Sequence, residues 1–329
     1  MPSSHSFELD PEFLQAAGPV LAAFSQLPKP AVHDVESRRQ GFDAVLQQAG
    51  QMMPKHDVTV KTHKIKTRDD AEIDVIQVSP KQRKENGAAV LHIHGGGMIS
   101  GSAQIYVDTG IIGGLSDASG VDFFSVDYRL APEHNLDGIV NDSFDALQWL
   151  STNAASLGID NKRIGLFGDS AGGGIAAGVA LQARDRQFSP PLQKQILIYP
   201  MLDDRNLVPD ERVVPFALWT YESNVTGWSA LLGKGVAGTD QVAQLVRYAA
   251  PARVEDLSNL PDTYMDVGQL DIFLLEDLDF ARRLHQAGVQ VDLQVYKGLP
   301  HAWELVAPLE STSTGRKVMA ERIRAIQSL

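Results

Sequence analysis

The sequence places a serine between two glycines in residues 168–172, which read Gly-Asp-Ser-Ala-Gly. The segment follows the apolar residues 163–167 and precedes a helix-like stretch. This is the context of a nucleophile elbow, a strained strand-to-helix turn that exposes a serine hydroxyl, and glycines relieve the crowding in such a turn. The N-terminus of the following helix also favours negative charge. Because the pattern alone is a weak signal, its context decides, and it indicates Ser170 as a nucleophile for acyl transfer.

Three consecutive glycines lie upstream of that serine, in the sequence His94-Gly95-Gly96-Gly97 at the end of an apolar run. Acyl transfer generates an oxyanion, and glycine-rich backbone can point amide N–H groups at it, each worth about 3 to 4 kcal/mol in comparable sites. We expect the donors to be the amides of Gly96, Gly97 and Ala171. A flexible turn would explain any one of these glycines, but three in a row favour an oxyanion hole.

A serine nucleophile needs a base, and the base needs an acid that orients its ring. Only His285 and His301 follow Ser170 in the chain. His285 lies inside a helix-like run, whereas His301 follows the last predicted strand. We therefore predict that His301 is the base.

The orienting acid is sought among the carboxylates between Ser170 and His301. Asp271 lies just beyond a predicted strand over residues 263–267, and catalytic groups gather at the carboxyl ends of strands in parallel sheets. The competing carboxylates are Asp266, within that strand, and Glu276, Asp277 and Asp279, on a predicted helix. The position at the end of a strand favours Asp271.

Short apolar runs alternate with helix-like segments along most of the chain, as expected for buried parallel strands separated by helices. The predicted strands cover residues 58–62, 71–78, 88–94, 122–127, 163–167, 195–199, 263–267 and 289–296. The predicted helices cover residues 104–119, 138–156, 171–186, 274–287 and 315–328. The pattern predicts a doubly wound α/β sheet.

Two segments depart from this alternation. Residues 1–50 are helix-like, and residues 204–244 carry prolines and several aromatic side chains. A segment that long after a strand is typical of a lid or binding element, although an extra helical pair completing the core fits its composition equally. We interpret both segments as parts of a cap on a catalytic core made of residues 51–203 and 245–329.

Five side chains are candidates for a substrate pocket. Met98 and Tyr106 follow the three glycines, and Phe216, Trp219 and Trp228 lie in the inserted segment. Pockets for small ligands are lined mainly by apolar and aromatic side chains, but such side chains are also the ones most often buried in cores. We therefore give substrate contact and packing equal weight at each position.

Composition excludes several other classes of protein. The chain has 329 residues with no cysteine, so it can form a large α/β domain with an appendage but no disulfide framework. Lysine and arginine total 29 against 41 aspartate and glutamate, and the net charge of -12 repels nucleic acid. The sequence shows neither a signal peptide nor a long apolar run, so a cytoplasmic protein without a membrane span is the default expectation.

Metal and cofactor motifs are also missing from the sequence. His92 and His94 form a His-x-His pair on a strand without an evident carboxylate partner, and there is no metalloprotease or phosphate-binding motif. We predict no cofactor and no metal.

Four ordered blocks resemble the hormone-sensitive-lipase-like family of bacterial α/β-hydrolase carboxylesterases. They are residues 94–97, residues 127–134 (Asp-Tyr-Arg-Leu-Ala-Pro-Glu-His), residues 168–173, and the loops of Asp271 and His301. The resemblance implies an α/β-hydrolase fold with a mostly parallel eight-stranded sheet and a helical cap. It also implies a serine carboxylesterase that hydrolyses small esters of short to medium acyl chains through an acyl-enzyme. Homodimers are common among similar proteins, so a homodimer is a candidate assembly.

The resemblance assigns the triad to Ser170, His301 and Asp271, and it assigns the oxyanion hole to the amides named above. Two departures from the family pattern affect the details. Residues 271–277 read Asp-Ile-Phe-Leu-Leu-Glu-Asp, without the proline and further acidic pattern that the family usually has directly after its catalytic aspartate. Met98 stands where the family often has an aromatic residue. An amidase or peptidase with the same triad and a non-catalytic receptor on this fold are the alternatives.

Overall fold

The computed structural model describes residues 7–24, 26, 29–134, 136–240 and 248–329. Within these ranges the chain forms one eight-stranded sheet with the strand order β1-β2-β4-β3-β5-β6-β7-β8. The strands are β1 (Val58–Lys66), β2 (Glu72–Pro80), β3 (Gly87–Ile93), β4 (Asp122–Val126), β5 (Ile159–Asp169), β6 (Lys194–Ile198), β7 (Asp262–Gly268) and β8 (Val291–Tyr296). All neighbours from β4 to β8 in this order pair in parallel, whereas β2 pairs antiparallel with both β1 and β4. The predicted mostly parallel α/β sheet is therefore confirmed.

Nine α-helices lie in the described part of the chain. They are α1 (Pro11–Phe24), α2 (Val35–Met52), α3 (Ala103–Asp108), α4 (Ile111–Ser119), α5 (Leu136–Asn153), α6 (Ala171–Asp185), α7 (Tyr221–Leu232), α8 (Leu274–Gln286) and α9 (Ser313–Gln327). The prediction of one helix over residues 104–119 is wrong. Gly110 between α3 and α4 has a φ of 84°, a left-handed conformation that interrupts a right-handed helix and that glycine adopts readily.

The core has two layers because neighbouring strand residues point to opposite faces of the sheet. Leu91 of β3 and Phe124 of β4 lie in the larger core cluster, to which α5, α6 and α8 contribute. Val90 and Phe123 lie in the cluster on the other face, to which α3, α4 and α9 contribute. Every residue of β3 is buried, as expected for a central strand covered by helices on both faces.

The two segments interpreted as a cap contain α1, α2 and α7 in their described parts. Phe13 of α1 packs edge-on against Trp303 with 6.2 Å between the ring centroids. Arg38 of α2 donates a hydrogen bond of 2.7 Å to the hydroxyl of Ser223 in α7. Residues 241–244 of the inserted segment lie outside the described residues, and the division into cap and core stays an interpretation.

No helix in the described ranges is long and apolar enough to cross a bilayer.

A buried ionic cluster joins α9 to the sheet. The Arg322 guanidinium donates to both oxygens of Asp266 in β7, at 2.8 and 2.9 Å, and to Glu304 at 2.7 Å. All three side chains are at most 4% exposed. Burying charges is unfavourable unless they are paired and hydrogen-bonded, so the hydrogen bonds from Arg322 offset part of the cost of burying the two carboxylates.

We expect Arg322→Met to lower the free energy of unfolding by about 3 to 5 kcal/mol, because it leaves Asp266 and Glu304 buried without their partner. Urea denaturation would measure the change. The control is Arg324→Met, since Arg324 lies on the same helix, is 62% exposed and pairs with Asp292 and Glu321 at the surface. Loss of such a surface pair costs less than about 1 kcal/mol, and equal destabilisation in the two variants would contradict this account.

Candidate active site

Ser170 occupies the sharp turn between β5 and α6. Its φ of 55° is in the left-handed region, which a residue with a side chain adopts at a cost of about 1 to 3 kcal/mol unless the surroundings impose it. The Ser170 amide donates to the Ile198 carbonyl of β6 at 2.8 Å, and its carbonyl accepts from the Met201 amide at 2.9 Å. These contacts fix the strained turn that the sequence predicted.

The glycines around Ser170 are required by close backbone approaches. A Cβ atom at Gly168 would overlap the Gly172 carbonyl, and a Cβ atom at Gly172 would overlap the carbonyls of Ile93 and His94 at the end of β3. The turn can therefore form only where both positions lack a side chain.

His301 lies between Ser170 and Asp271. Its Nε2 atom is 2.9 Å from Ser170 Oγ, and its Nδ1 atom is 2.7 Å from Asp271 Oδ2. Because a carboxylate only accepts hydrogen bonds, Nδ1 carries the proton and Nε2 presents its lone pair to the serine hydroxyl. All three residues are at most 6% exposed.

Backbone and aromatic contacts fix this geometry. The Leu270 amide donates to the Leu299 carbonyl at 2.9 Å, which joins the loop of Asp271 to that of His301. Asp271 Oδ1 accepts from the Phe273 amide at 2.9 Å. Tyr199 and Phe273 pack edge-on against the imidazole, with centroid distances of 4.6 and 5.0 Å. The ring is therefore held by packing as well as by its two hydrogen bonds.

The competing carboxylates have other surroundings. Asp266 pairs with Arg322, Glu276 accepts from the amides of Leu202 and Asp203, and exposed Asp279 pairs with Arg282. Burial raises the pKa of the Asp277 carboxyl well above its usual value. His285, the competing histidine, is exposed on α8.

The glycine loop after β3 has an unusual backbone. Gly96, Gly97 and Met98 have φ values of 116°, 62° and 65°. The Gly96 carbonyl accepts from the amides of Ile99 and Ser100, at 3.1 and 3.0 Å, and from the Ser100 hydroxyl at 2.7 Å. Across the elbow, Ala171 is the first residue of α6, where an amide has no acceptor within the helix. The loop and the helix start are thus adjacent parts of one site.

Asp169 links the loop to the elbow, and the sequence analysis missed it. Its Oδ2 atom accepts from the Gly95 amide at 3.1 Å and from the Tyr106 hydroxyl at 2.9 Å, and its Oδ1 atom lies 3.4 Å from His92 Nε2. The expectation that His92 has no carboxylate partner is therefore wrong. Strands β3 and β5 pair in parallel, with His92 opposite Phe167. Asp169 therefore lies near His92 although the two residues are 77 positions apart in the chain. The sequence signal that could have indicated this role is the position of an acidic residue directly before Ser170.

His94 is fully buried and stacks on Tyr128 with 4.2 Å between the ring centroids. Its Nδ1 atom is 2.8 Å from the Gly95 carbonyl. Burial lowers the pKa of His94 to about 4, so its ring is neutral at physiological pH. The ring therefore supports the loop as a packed, uncharged group.

The five candidate pocket residues lie in different places. Trp219 covers the glycine loop, since a Cβ atom at Gly97 would overlap its indole ring. Phe216 is half-buried in a short 3₁₀ turn. Met98 and Trp228 are almost completely buried, and the Tyr106 hydroxyl is bound to Asp169, so these three positions favour packing.

In the described ranges, no group of three His, Asp or Glu side chains is arranged to hold a metal ion.

Comparison with known proteins identifies the family. A family model described as alpha/beta hydrolase fold matches residues 90–305. A carboxylesterase (NlhH) of Mycobacterium tuberculosis is 34% identical over 246 residues, 73% of this chain and 75% of the relative. An arylesterase of Saccharolobus solfataricus is 30% identical over 288 residues, 86% of this chain and 90% of the relative. The solved structure of a bacterial heroin esterase superposes with a TM-score of 0.85 at 32% identity and covers 97% of both chains.

The chain therefore belongs to the hormone-sensitive-lipase-like α/β-hydrolase family, and the resemblance stated from four sequence blocks is confirmed.

We expect Asp271→Asn to leave the fold intact and to reduce kcat by about three to four orders of magnitude, because asparagine does not hold His301 in the required tautomer. Steady-state ester hydrolysis and circular dichroism would measure turnover and folding. Asp279→Asn is the control on the neighbouring exposed carboxylate. Near-normal turnover by Asp271→Asn would show that Asp271 is not the orienting acid.

Proposed function

We propose that this protein is a serine carboxylesterase that hydrolyses small esters of short to medium acyl chains. The observation that carries the proposal is the continuous hydrogen-bond chain from Ser170 through His301 to Asp271, with distances of 2.9 and 2.7 Å. The esterase names of the relatives support the same class. Small acyl groups are favoured by the large Trp219 ring against Gly97 of the glycine loop and by the 6% exposure of Ser170.

The first step is acylation. Ser170 Oγ forms a bond to the ester carbonyl carbon while its proton passes to His301 Nε2. The carbonyl oxygen becomes an oxyanion that accepts hydrogen bonds from the amides of Gly96, Gly97 and Ala171. Asp271 stabilises the imidazolium and keeps the ring oriented.

The tetrahedral intermediate then loses the alcohol. His301 donates its proton to the leaving oxygen as the carbon–oxygen bond breaks, and an acyl-enzyme remains on Ser170. In the second half, His301 accepts a proton from water as the water oxygen attacks the acyl carbon. The intermediate breaks down to release the acid, and the proton returns to Ser170.

The central prediction is that wild-type protein hydrolyses p-nitrophenyl esters with a maximum at short acyl chains, and that Ser170→Ala abolishes the turnover above background. A series from acetate to palmitate would measure both. Ser156→Ala, which changes an exposed serine, is the control and should match the wild type. A folded wild-type protein without ester turnover would favour the receptor alternative, whereas turnover retained by Ser170→Ala would exclude Ser170 as nucleophile.

The amidase alternative uses the same acylation chemistry, so only leaving-group preference separates the two. We expect ester turnover to exceed turnover of the matching anilide by at least about a hundredfold, because p-nitrophenolate leaves as an anion whereas an amide nitrogen leaves only after His301 has protonated it. Parallel assays of p-nitrophenyl acetate and p-nitroacetanilide would measure the ratio. Equal or reversed rates would refute the esterase assignment.

Cytoplasmic location and a homodimer stay predictions of the sequence. Cell fractionation and light scattering of the purified protein are the direct measurements.

A further inference from the structure

The backbone of the glycine loop must be held in place by its surroundings. Met98 carries a side chain yet has a φ of 65°, next to Gly96 and Gly97, which are also left-handed. Such a conformation persists only where neighbouring groups impose it. The groups that bind the loop from outside therefore determine where the amides of Gly96 and Gly97 point.

Two of these external contacts come from the core. The Gly95 amide donates to Asp169, and the Met98 carbonyl accepts from the Ala131 amide at 2.9 Å. The contacts at Ile99 and Gly101 come instead from α2, a helix far from the loop in the sequence.

Arg39 of α2 supplies the first of them. Its Nε atom donates to the Ile99 carbonyl, and its Nη2 atom donates to the Ala131 carbonyl at 2.7 Å. The same guanidinium binds both oxygens of Glu133, at 2.7 and 2.5 Å. One side chain thus connects the residue after Met98 to the segment whose amide binds the Met98 carbonyl.

Asp43 supplies the second contact, one helical turn after Arg39. Its Oδ1 atom accepts from the Gly101 amide at 3.3 Å. Residues four apart lie on the same face of a helix, so this face of α2 binds a carbonyl and an amide at the end of the loop.

The neighbouring Arg38 points elsewhere. It donates to the hydroxyls of Ser223 and Thr226 in α7, at 2.7 and 3.2 Å. The two consecutive arginines therefore contact different parts of the protein: Arg38 binds α7, and Arg39 binds the glycine loop.

We propose that Arg39 is a positioning residue for the oxyanion hole: it fixes the glycine loop so that the Gly96 and Gly97 amides face the developing oxyanion. This inference rests on the proposed esterase function. The contact set requires arginine, because a planar guanidinium donates in several fixed directions at once, whereas a lysine ammonium is a compact charge on a flexible stem.

The test compares Arg39→Lys and Arg39→Met with the wild type. Lysine retains the charge that pairs with Glu133 but not the fork that also binds the two carbonyls. We expect kcat for p-nitrophenyl acetate to fall about 10- to 100-fold in both variants with KM within about twofold, since loss of one oxyanion donor outright costs about 100- to 1,000-fold. Gln40→Ala, on the exposed side of the same helix, is the control and should retain wild-type kinetics.

A transition-state analogue separates positioning from general stability. The inhibition constant of an alkyl trifluoromethyl ketone, which forms a tetrahedral adduct, should rise by the same factor as kcat falls, because both depend on the oxyanion contacts. Thermal unfolding midpoints show whether each variant is folded at the assay temperature. If Arg39→Met does not fold, Arg39→Lys still decides the question.

The outcomes are distinct. Wild-type kcat and inhibitor affinity in Arg39→Lys would mean that Arg39 serves only as an ion-pair partner, and the inference would be overturned. It would also be overturned if kcat fell in the folded variants while inhibitor affinity stayed unchanged. No ester turnover by the wild type would instead refute the proposed function.

Discussion

The parallel direction of β3, β5, β7 and β8 is the constraint on which the site depends. Parallel strands end at the same edge of a sheet, so the loops that follow them meet there. The glycine loop follows β3, Ser170 follows β5, Asp271 follows β7 and His301 follows β8. Residues that are 131 positions apart in the chain, Ser170 and His301, therefore come within 2.9 Å of each other. Because Gly172 has no side chain, its backbone can lie against the end of β3, and this sets the distance between the serine turn and the glycine loop.

A second constraint is the charge buried behind the imidazole. Tyr199 packs against His301 and donates a hydrogen bond of 2.8 Å to Glu304, which pairs with Arg322. Burial raises the pKa of the Asp266 carboxyl, and Arg322 opposes that shift by stabilising the charged form. One guanidinium lies against two carboxylates, so Arg322 balances part of the buried charge. The cluster supports the ring of His301 through Tyr199, while Asp271 makes the direct hydrogen bond.

Local patterns predicted the features that depend on local chain geometry. The alternation of apolar runs predicted the sheet, and strand-end positions selected Ser170, Asp271 and His301 from their competitors. What the sequence did not show depends on packing between distant segments. The pairing of His92 with Asp169 follows from strand register, and the burial of Trp228 follows from how α7 fits on the core. The break at Gly110 was missed because apolar residues on both sides continue a helical spacing, and only the backbone conformation interrupts it.

Both N-terminal helices contact loops of the candidate site. The Asp10 amide, just before α1, donates to the Gly298 carbonyl at 2.9 Å, and Phe13 packs on Trp303, so α1 contacts the chain on both sides of His301. Helix α2 contacts the end of the glycine loop through Arg39 and Asp43. Two helices from the start of the chain therefore each bind one of the loops that carry the proposed chemistry. Since surface loops are among the less stable parts of a fold, these contacts from the N-terminal segment contribute to the geometry of the site. This explains why the N-terminal segment, which contains none of Ser170, Asp271 and His301, makes hydrogen bonds and packing contacts with the loops of the site.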